Sequence, residues 1–264
     1  MSELIQSSLA ESGVLHLTLN SPQRRNALSE NMIVTLHNAL QNASESQKVK
    51  VIVLRANGPA FSAGHDLKEI TAARQASDGG RAFFTALMEK CSAMMMSIVN
   101  NPKPVIAEID GIATAAGCQL VASCDLAYAS DTSRFATPGV NIGLFCSTPM
   151  VALSRNVSNK HAMEMLLTGD VFSATDAERI GLINRVIDSE SLHEFTQTVA
   201  TIIAEKSSLT LATGKKAFYH QREMTLESAY RYASEVMVSN MLAKDGEEGI
   251  RAFVEKRAPV WTNK

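Results

Sequence analysis

The sequence predicts an α/β core that is followed by a helix-rich carboxy-terminal region. Residues 14–19 alternate apolar and polar side chains, and residues 49–54 are rich in β-branched residues, two patterns that are typical of strands. Residues 105–109 and 126–129 have the composition of further short strands, with helical stretches between them. Beyond about Ser147 helical periodicity dominates, so the chain changes there from building sheets to packing helices.

Helix ends are predicted from capping residues and apolar spacing. Ser29 is placed to cap the first helix, because the apolar stripe of a helix follows it at Met32, Ile33, Leu36 and Leu40. Further along, Thr175 or Asp176 opens a short helix that Gly181 ends. These signals predict where the first helix and one of the later helices begin.

The last third of the chain contains two long amphipathic stretches, at residues 192–204 and 226–242. No repeat, low-complexity tract or extended linker separates them from the preceding part. We therefore expect residues 1–200 to form the core, and residues 201–264 to form a helical region that packs on the core or on another subunit.

Composition excludes several classes of protein. The 25 basic and 27 acidic residues leave a net charge near zero, so we expect no nucleic-acid partner. The four cysteines show neither C-x-x-C pairing nor a histidine at zinc-finger spacing, so neither a disulfide framework nor a metal site is predicted. No stretch approaches the roughly 20 apolar residues that a bilayer span needs.

The first 13 residues have no apolar segment and no Arg-rich stretch of the kind that targets a chain for export or import. We therefore expect a cytoplasmic protein, with the mitochondrial matrix as the alternative if a leader has been removed.

A first candidate motif covers residues 61–69, which read F-S-A-G-H-D-L-K-E. Small residues follow a predicted strand, and a helix is expected to begin at Asp66. Gly64 lets a ligand approach the backbone closely, and free N–H groups at a helix start can hold an anion or a developing oxyanion. The alternative interpretation is an ordinary strand-to-helix turn.

A second motif covers residues 110–120, which read D-G-I-A-T-A-A-G-C-Q-L. It also joins a strand through a tight turn to an apolar helix, and alone it would equally fit a close helix-packing contact. An oxyanion hole needs two N–H donors from separate segments, so the two motifs together favour such a site.

These motifs resemble those of the crotonase (enoyl-CoA hydratase/isomerase) superfamily, and the resemblance extends over nearly the whole chain. The segments that carry it are residues 21–28, 61–69, 111–125, 167–170, 174–186 and 248–257. The resemblance implies a crotonase spiral of ββα units with a helical carboxy-terminal trimerisation region, assembled as a homotrimer or hexamer. It implies an acyl-CoA ligand, with coenzyme A as part of the substrate and no tightly bound cofactor.

The resemblance also implies roles for individual residues. His65 and Ala116 are expected to donate the two backbone N–H groups of the oxyanion hole. The residues expected to contact coenzyme A are Arg25, Ala27, Ala63, Lys68 and Lys256, and Lys256 is expected to reach the coenzyme A of a neighbouring subunit.

The sequence departs from the hydratase pattern at the two positions where hydratases carry glutamates, which are occupied here by Gln119 and Gly139. An amide can orient a water molecule but cannot exchange a proton at neutral pH, and glycine has no side chain. Each missing acid or base typically removes about a hundredfold to ten-thousandfold of rate. We therefore expect a thioester-binding enzyme of the hydratase/isomerase type without efficient hydration.

Two alternatives stay open. An acyl-CoA decarboxylase would tolerate the missing glutamates because loss of carbon dioxide generates the enolate without a base. A protein that binds coenzyme A with little catalysis would tolerate them as well.

Other side chains are candidates for the missing proton chemistry. The imidazole of His65 would serve as acid, base or hydrogen-bond donor if it faces the thioester. Asn141, Cys146, Ser147 and Thr148 follow Gly139 and are candidates to approach the acyl group from the opposite side. Without a cationic neighbour, Cys146 is expected to be a buried, inert thiol.

Overall fold

The computed structural model describes residues 3–264 of the chain, and in that range ten strands form two sheets. The strands are β1 (Ile5–Leu9), β2 (Val14–Leu19), β3 (Val51–Ala56), β4 (Ala60–Ser62), β5 (Val105–Ile109), β6 (Ile112–Thr114), β7 (Leu126–Ser130), β8 (Arg134–Ala136), β9 (Phe172–Ser173) and β10 (Arg185–Ile187). The larger sheet has the order β1-β2-β3-β5-β7-β10, and the smaller one has the order β4-β6-β8-β9. Most neighbours are parallel, and the pairs β1–β2 and β8–β9 are antiparallel.

Helices alternate with the strands and then dominate the carboxy-terminal part. They are α1 (Glu30–Glu45), α2 (Leu67–Ala73), α3 (Arg81–Val99), α4 (Ala116–Ser123), α5 (Pro149–Leu153), α6 (Asn159–Thr168), α7 (Ala174–Arg179), α8 (Leu192–Ala204), α9 (Ser208–Gln221), α10 (Leu226–Leu242) and α11 (Lys244–Val254). Short 3-10 helices lie at Pro22–Arg24 and Pro138–Ile142.

The chain winds as repeated ββα units. In each of the pairs β3/β4, β5/β6 and β7/β8, the first strand joins the larger sheet and the second joins the smaller one. Helices follow each pair, so the start of each helix lies beside the end of a strand in the smaller sheet. The predicted α/β spiral with a helical carboxy-terminal region is confirmed.

The predicted first helix is confirmed by its cap and its core face. Ser29 Oγ accepts a hydrogen bond from the Met32 N–H at 3.2 Å. The predicted stripe of Met32, Ile33, Leu36 and Leu40 is fully buried. Helix α1 packs on α3, and together they cover one face of the larger sheet's core.

The structure corrects two predicted boundaries and adds one strand that was not predicted. The second predicted strand runs over Val51–Ala56 rather than 49–54. Helix α7 is capped by Ser173, whose Oγ accepts from the Asp176 N–H at 3.1 Å, so the helix begins before Thr175. Strand β1 was not predicted, because all but its first residue are exposed and it has no apolar alternation.

The boundary expected at residue 200 falls inside α8. The buried face of this helix, with Leu192, Ala200 and Ala204, packs on the larger sheet. The core therefore continues to Ala204, and α9 to α11 form the carboxy-terminal region. Lys215 of α9 joins this region to the core through an ion pair with Asp125, at 2.6 Å between Nζ and Oδ2.

Helix α3 corrects the expectation that no segment matches a bilayer span in length and composition. Within residues 3–264 it is the one helix long and apolar enough to cross a membrane by those two criteria. Its side chains Leu87, Cys91, Met94 and Ile98 are buried in the core against α1 and the sheet. Core helices commonly pass the same test, so α3 is weak evidence for a membrane span.

Candidate functional site

The first candidate loop, residues 63–66, is held by backbone hydrogen bonds to the segment before α1. The Ala63 N–H donates to the Arg25 carbonyl oxygen at 3.0 Å, and the Leu28 N–H donates to the Gly64 carbonyl oxygen at 2.8 Å. The His65 N–H finds no acceptor among residues 3–264. It is therefore a backbone donor without an intramolecular partner, at the position where one oxyanion-hole donor was expected.

Asn26 fixes this arrangement, and the sequence analysis did not single it out. Its side-chain amide donates to the carbonyl oxygens of Asn57 and Ala60 at 2.9 and 2.7 Å, and its Oδ1 accepts from the Ser21 N–H at 2.8 Å. Its backbone is left-handed, with a φ of 49°, a conformation that asparagine tolerates better than most residues. A polar residue inside a matching motif, where the chain must turn back, is the signal that would have indicated this role.

The second candidate loop ends at Ala115, which precedes α4. Ala115 has a φ of 49° and donates its N–H to the Ala136 carbonyl oxygen at 2.9 Å. The first backbone bond of the helix runs from the Gln119 N–H to the Ala115 carbonyl oxygen at 3.0 Å. The Ala116 N–H lies in the first turn and has no intrahelical acceptor.

The two loops meet directly. A Cβ atom built on Gly64 would lie 3.0 Å from Ala115 Cβ and 3.2 Å from the Ala116 nitrogen. A Cβ atom built on Gly117 would lie 2.2 Å from the Ser62 carbonyl oxygen. Glycine is needed at both positions, and the resulting contact brings the segments of His65 and Ala116 together.

Buried polar atoms without partners lie in and beside these loops. Among the described residues they include His65 Nε2, Gln119 Oε1 and Thr137 Oγ1. Such atoms are uncommon in folded proteins and indicate that water or a ligand belongs beside them. Burial lowers the pKa of His65 to about 4, so its imidazole is neutral at physiological pH.

Gln119 also lines a cavity of about 1300 Å³ between α4, α5 and α9. Its apolar walls include Met95, Met96 and Val99 of α3 and Ala122 of α4. The lining includes Gln119 but neither His65 nor Ala116, and charged side chains such as Arg155, Lys216 and Glu223 stand among the apolar ones.

There is no room for a side chain at residue 139, the second of the two positions where hydratases carry glutamates. A Cβ atom built on Gly139 would lie 2.6 Å from the Leu144 carbonyl oxygen and 2.9 Å from Cys146 Sγ. The loop between Gly139 and Cys146 is thus folded tightly enough that a larger residue at 139 would displace it.

The residues expected to contact coenzyme A divide into two groups. Arg25, Ala27 and Ala63 lie in the paired segments beside the candidate hole, and Lys68 is exposed on α2, where it lines a shallow depression of about 470 Å³. Lys256 follows α11, and no hydrogen bond or ion pair within residues 3–264 joins its side chain to the other group.

Asp66 starts α2 in the way its position predicts. Its Oδ1 accepts from the N–H groups of Lys68 and Glu69 at 2.9 and 3.3 Å, and its other oxygen pairs with Arg24. Asp66 is therefore a capping residue that ties α2 to the Arg24 segment.

Comparison with known proteins gives one consistent result. The family model for enoyl-CoA hydratase/isomerase matches residues 10–264. Enoyl-CoA hydratase domain-containing protein 3 from Rattus norvegicus is 50% identical over 98% of this chain and 85% of its own length, and the Homo sapiens protein is 48% identical over 95% and 81%.

Solved structures agree with this assignment. A structure described as enoyl-CoA hydratase from Mycobacterium smegmatis has a TM-score of 0.93 and 47% identity, and covers 98% of this chain and 99% of its own. Human enoyl-CoA hydratase domain-containing protein 3 has a TM-score of 0.93 and 46% identity, with 98% and 100% coverage. The chain belongs to the enoyl-CoA hydratase/isomerase family.

Proposed function

We propose that the protein binds an acyl-CoA thioester and stabilises an enolate-like oxyanion with the backbone N–H groups of His65 and Ala116. The observation that carries this proposal is the contact of Gly64 with the start of α4, where a Cβ atom would lie 3.2 Å from the Ala116 nitrogen. Two donors without intramolecular partners therefore sit on segments that touch, as an oxyanion hole requires.

The electrostatics of this position favour negative charge on the ligand. The Ala116 N–H belongs to the amino-terminal turn of α4, where unpaired N–H groups carry partial positive charge. When a thioester carbonyl becomes an enolate, its oxygen gains charge and both hydrogen bonds strengthen. A fixed pair of donors stabilises that state more than the neutral carbonyl, which is what lowers a barrier.

The reaction is constrained by residues 119 and 139, the two positions where hydratases carry glutamates. Gln119 offers an amide whose Oε1 is buried without a partner, so it is suited to hold a water molecule. Gly139 offers no acid or base, and its surroundings leave no space for one. Hydration by this protein is therefore expected to be slow.

An acyl-CoA decarboxylase is the second candidate. The absence of carboxylates at Gln119 and Gly139 favours it, because breaking the carbon–carboxylate bond supplies the electron pair of the enolate without a base. A protein that binds coenzyme A with little catalysis is the third candidate, and the same absence supports it.

The assembly expected from the resemblance is part of the proposal. Helices α10 and α11 expose large apolar side chains that include Leu226, Tyr230, Met237, Leu242, Ile250 and Phe253. Such a surface suits contacts between copies in a trimer or hexamer, which would carry Lys256 toward a neighbour's coenzyme A. Analytical ultracentrifugation tests this expectation, and a monomer at micromolar concentration would contradict it.

A mitochondrial location is proposed from the similarity to named relatives. The rat and human relatives are named mitochondrial, which supports the mitochondrial alternative and gives no support to the cytoplasmic expectation.

One purified sample separates the three functions. Isothermal titration with butyryl-CoA measures affinity, absorbance follows hydration of crotonyl-CoA, and carbon dioxide release from methylmalonyl-CoA measures decarboxylation. Binding without either turnover supports the non-catalytic function. A protein that binds none of these thioesters would refute the proposal.

A further inference from the structure

The space that a side chain would enter at residue 139 is occupied by a thiol from the same loop. Cys146 Sγ would lie 2.9 Å from a Cβ atom built on Gly139. Cys146 is 7% exposed and directly precedes the short segment that leads into α5. The thiol therefore stands at the point from which the second glutamate of a hydratase would project, according to the position that the resemblance gives to residue 139.

Two buried polar atoms on neighbouring segments have no partner, which leaves them free to bond water or a ligand. Thr137 is fully buried, two residues before Gly139, and its Oγ1 has no partner among residues 3–264. The preceding residue, Ala136, accepts the Ala115 N–H at 2.9 Å, directly beside the candidate donor Ala116. Gln119 is 6% exposed and its Oε1 likewise has no partner. Both of these unpaired atoms belong to segments that adjoin the candidate hole.

The state of the thiol follows from its surroundings. Burial raises the pKa of Cys146 above the ordinary value of 9.0, and the backbone N–H of Gly139 opposes this only in part. The nearby thiol of Cys118 has its pKa raised to about 12 by burial, so it stays neutral and does not favour a thiolate at Cys146. Cys146 consequently keeps its proton at neutral pH, which makes it a poor nucleophile and a competent proton donor.

We propose that Cys146 donates the proton that the α carbon of the acyl group receives when the enolate is quenched. This inference rests on the proposed function, because it needs an acyl thioester held by His65 and Ala116. The S–H bond breaks, the electron pair of the enolate double bond forms the new C–H bond, and the oxyanion returns to a thioester carbonyl. The thiolate then takes a proton from water.

The proposal does not depend on how the enolate arises. Addition of water to a 2-enoyl thioester gives the enolate of a 3-hydroxyacyl thioester and releases one proton of the water to solvent. Loss of carbon dioxide from a thioester that carries a carboxylate on its α carbon gives the enolate of the simple acyl thioester. Either route ends with one proton delivered to the α carbon. Cys146 therefore supplies a step that Gly139 cannot supply, whichever of the candidate reactions the protein catalyses.

The test uses the reverse of this proton transfer on a saturated thioester. Butyryl-CoA is incubated with the full chain in deuterium oxide, and deuterium at the α carbon is followed by mass spectrometry at several pH values. Since only the thiolate removes the proton, exchange by the natural protein should rise with pH to beyond 9. The Cys146→Ala variant should exchange about a hundredfold to ten-thousandfold more slowly, and Cys146→Ser should recover little because a hydroxyl is a weaker acid than a thiol.

A matched control separates chemistry from packing. Cys91 is a buried thiol of α3 whose pKa burial raises to about 11, and the Cys91→Ala variant should lose similar packing without losing exchange. Thermal denaturation identifies any variant that does not fold. Titration with butyryl-CoA is run on each protein.

The outcomes are distinct. Unchanged affinity with lost exchange in Cys146→Ala supports the proposal. Exchange that equals that of the natural protein in Cys146→Ala overturns it, and so does tight butyryl-CoA binding by a natural protein that exchanges no α proton. Absence of binding by the natural protein refutes the proposed function itself, and the inference falls with it.

Discussion

Replacing Gly64 by alanine should separate the two candidate donors, and the size of the effect follows from the contacts. The new Cβ atom would lie 3.0 Å from Ala115 Cβ, 3.0 Å from the Thr114 carbonyl oxygen and 3.2 Å from the Ala116 nitrogen. Gly64 has a φ of 83°, which costs an alanine about 1 kcal/mol. Relieving the crowding adds about 1–3 kcal/mol to the loss of folding stability.

Gly79→Ala is the matched control. Gly79 has a φ of 65°, and a Cβ atom there would meet nothing within 4 Å. This variant should lose about 1 kcal/mol of unfolding free energy from the backbone term alone. The difference between the two variants in urea denaturation isolates the contact between the loops.

The affinity for butyryl-CoA tests whether the N–H groups of His65 and Ala116 bind the thioester carbonyl. A hydrogen bond to a neutral carbonyl contributes about 1 kcal/mol, so displacing one donor should weaken butyryl-CoA binding about fivefold in Gly64→Ala. The thioether analogue S-butyl-CoA has no carbonyl oxygen, and its affinity should not change. Equal weakening of both ligands, or no weakening of either, would refute the oxyanion-hole assignment.

Three further predictions test the neighbouring positions. Gln119→Glu should fold normally and raise crotonyl-CoA hydration only slightly, because one carboxylate is still missing; efficient hydration by the natural protein would contradict this reasoning. Gly139→Glu should lose about 1–3 kcal/mol of unfolding free energy in urea denaturation, because the new side chain pushes on the 139–146 loop. Asn26→Ala should lose about 3 kcal/mol or more of unfolding free energy, because two carbonyl oxygens and one N–H lose their partners. Replacing the exposed Asn31 by alanine should cost well under 1 kcal/mol, and a similar loss in both variants would show that the buried amide adds nothing to stability. The pKa of His65 is lowered from 6.5 to about 4, so on acidification the unfolded chain binds the proton first, and the unfolding free energy should fall by a few kcal/mol as the pH drops from 6.5 to 4. His65→Asn should remove part of this pH dependence in denaturation curves measured across the range. An unchanged pH dependence would exclude a buried neutral imidazole.

Local sequence patterns predicted many of the strands and helices. The predicted ranges of β2, β5, α8 and α10 coincide with the structure, because apolar periodicity depends only on residues close in sequence. Strand β1 escaped prediction since its pairing with β2, rather than its own pattern, makes it a strand.

For the candidate site, the sequence alone identified the two glycine-containing loops and the absence of carboxylates at Gln119 and Gly139. Whether the loops meet depends on the winding of the sheets, which brings Gly64 against Ala116 although the two are far apart in sequence. The role of Asn26 and the position of Cys146 against Gly139 are likewise products of long-range packing. Residue types determine which chemistry is available, whereas the tertiary structure decides which groups come within contact distance, because those contacts join segments that no local pattern links.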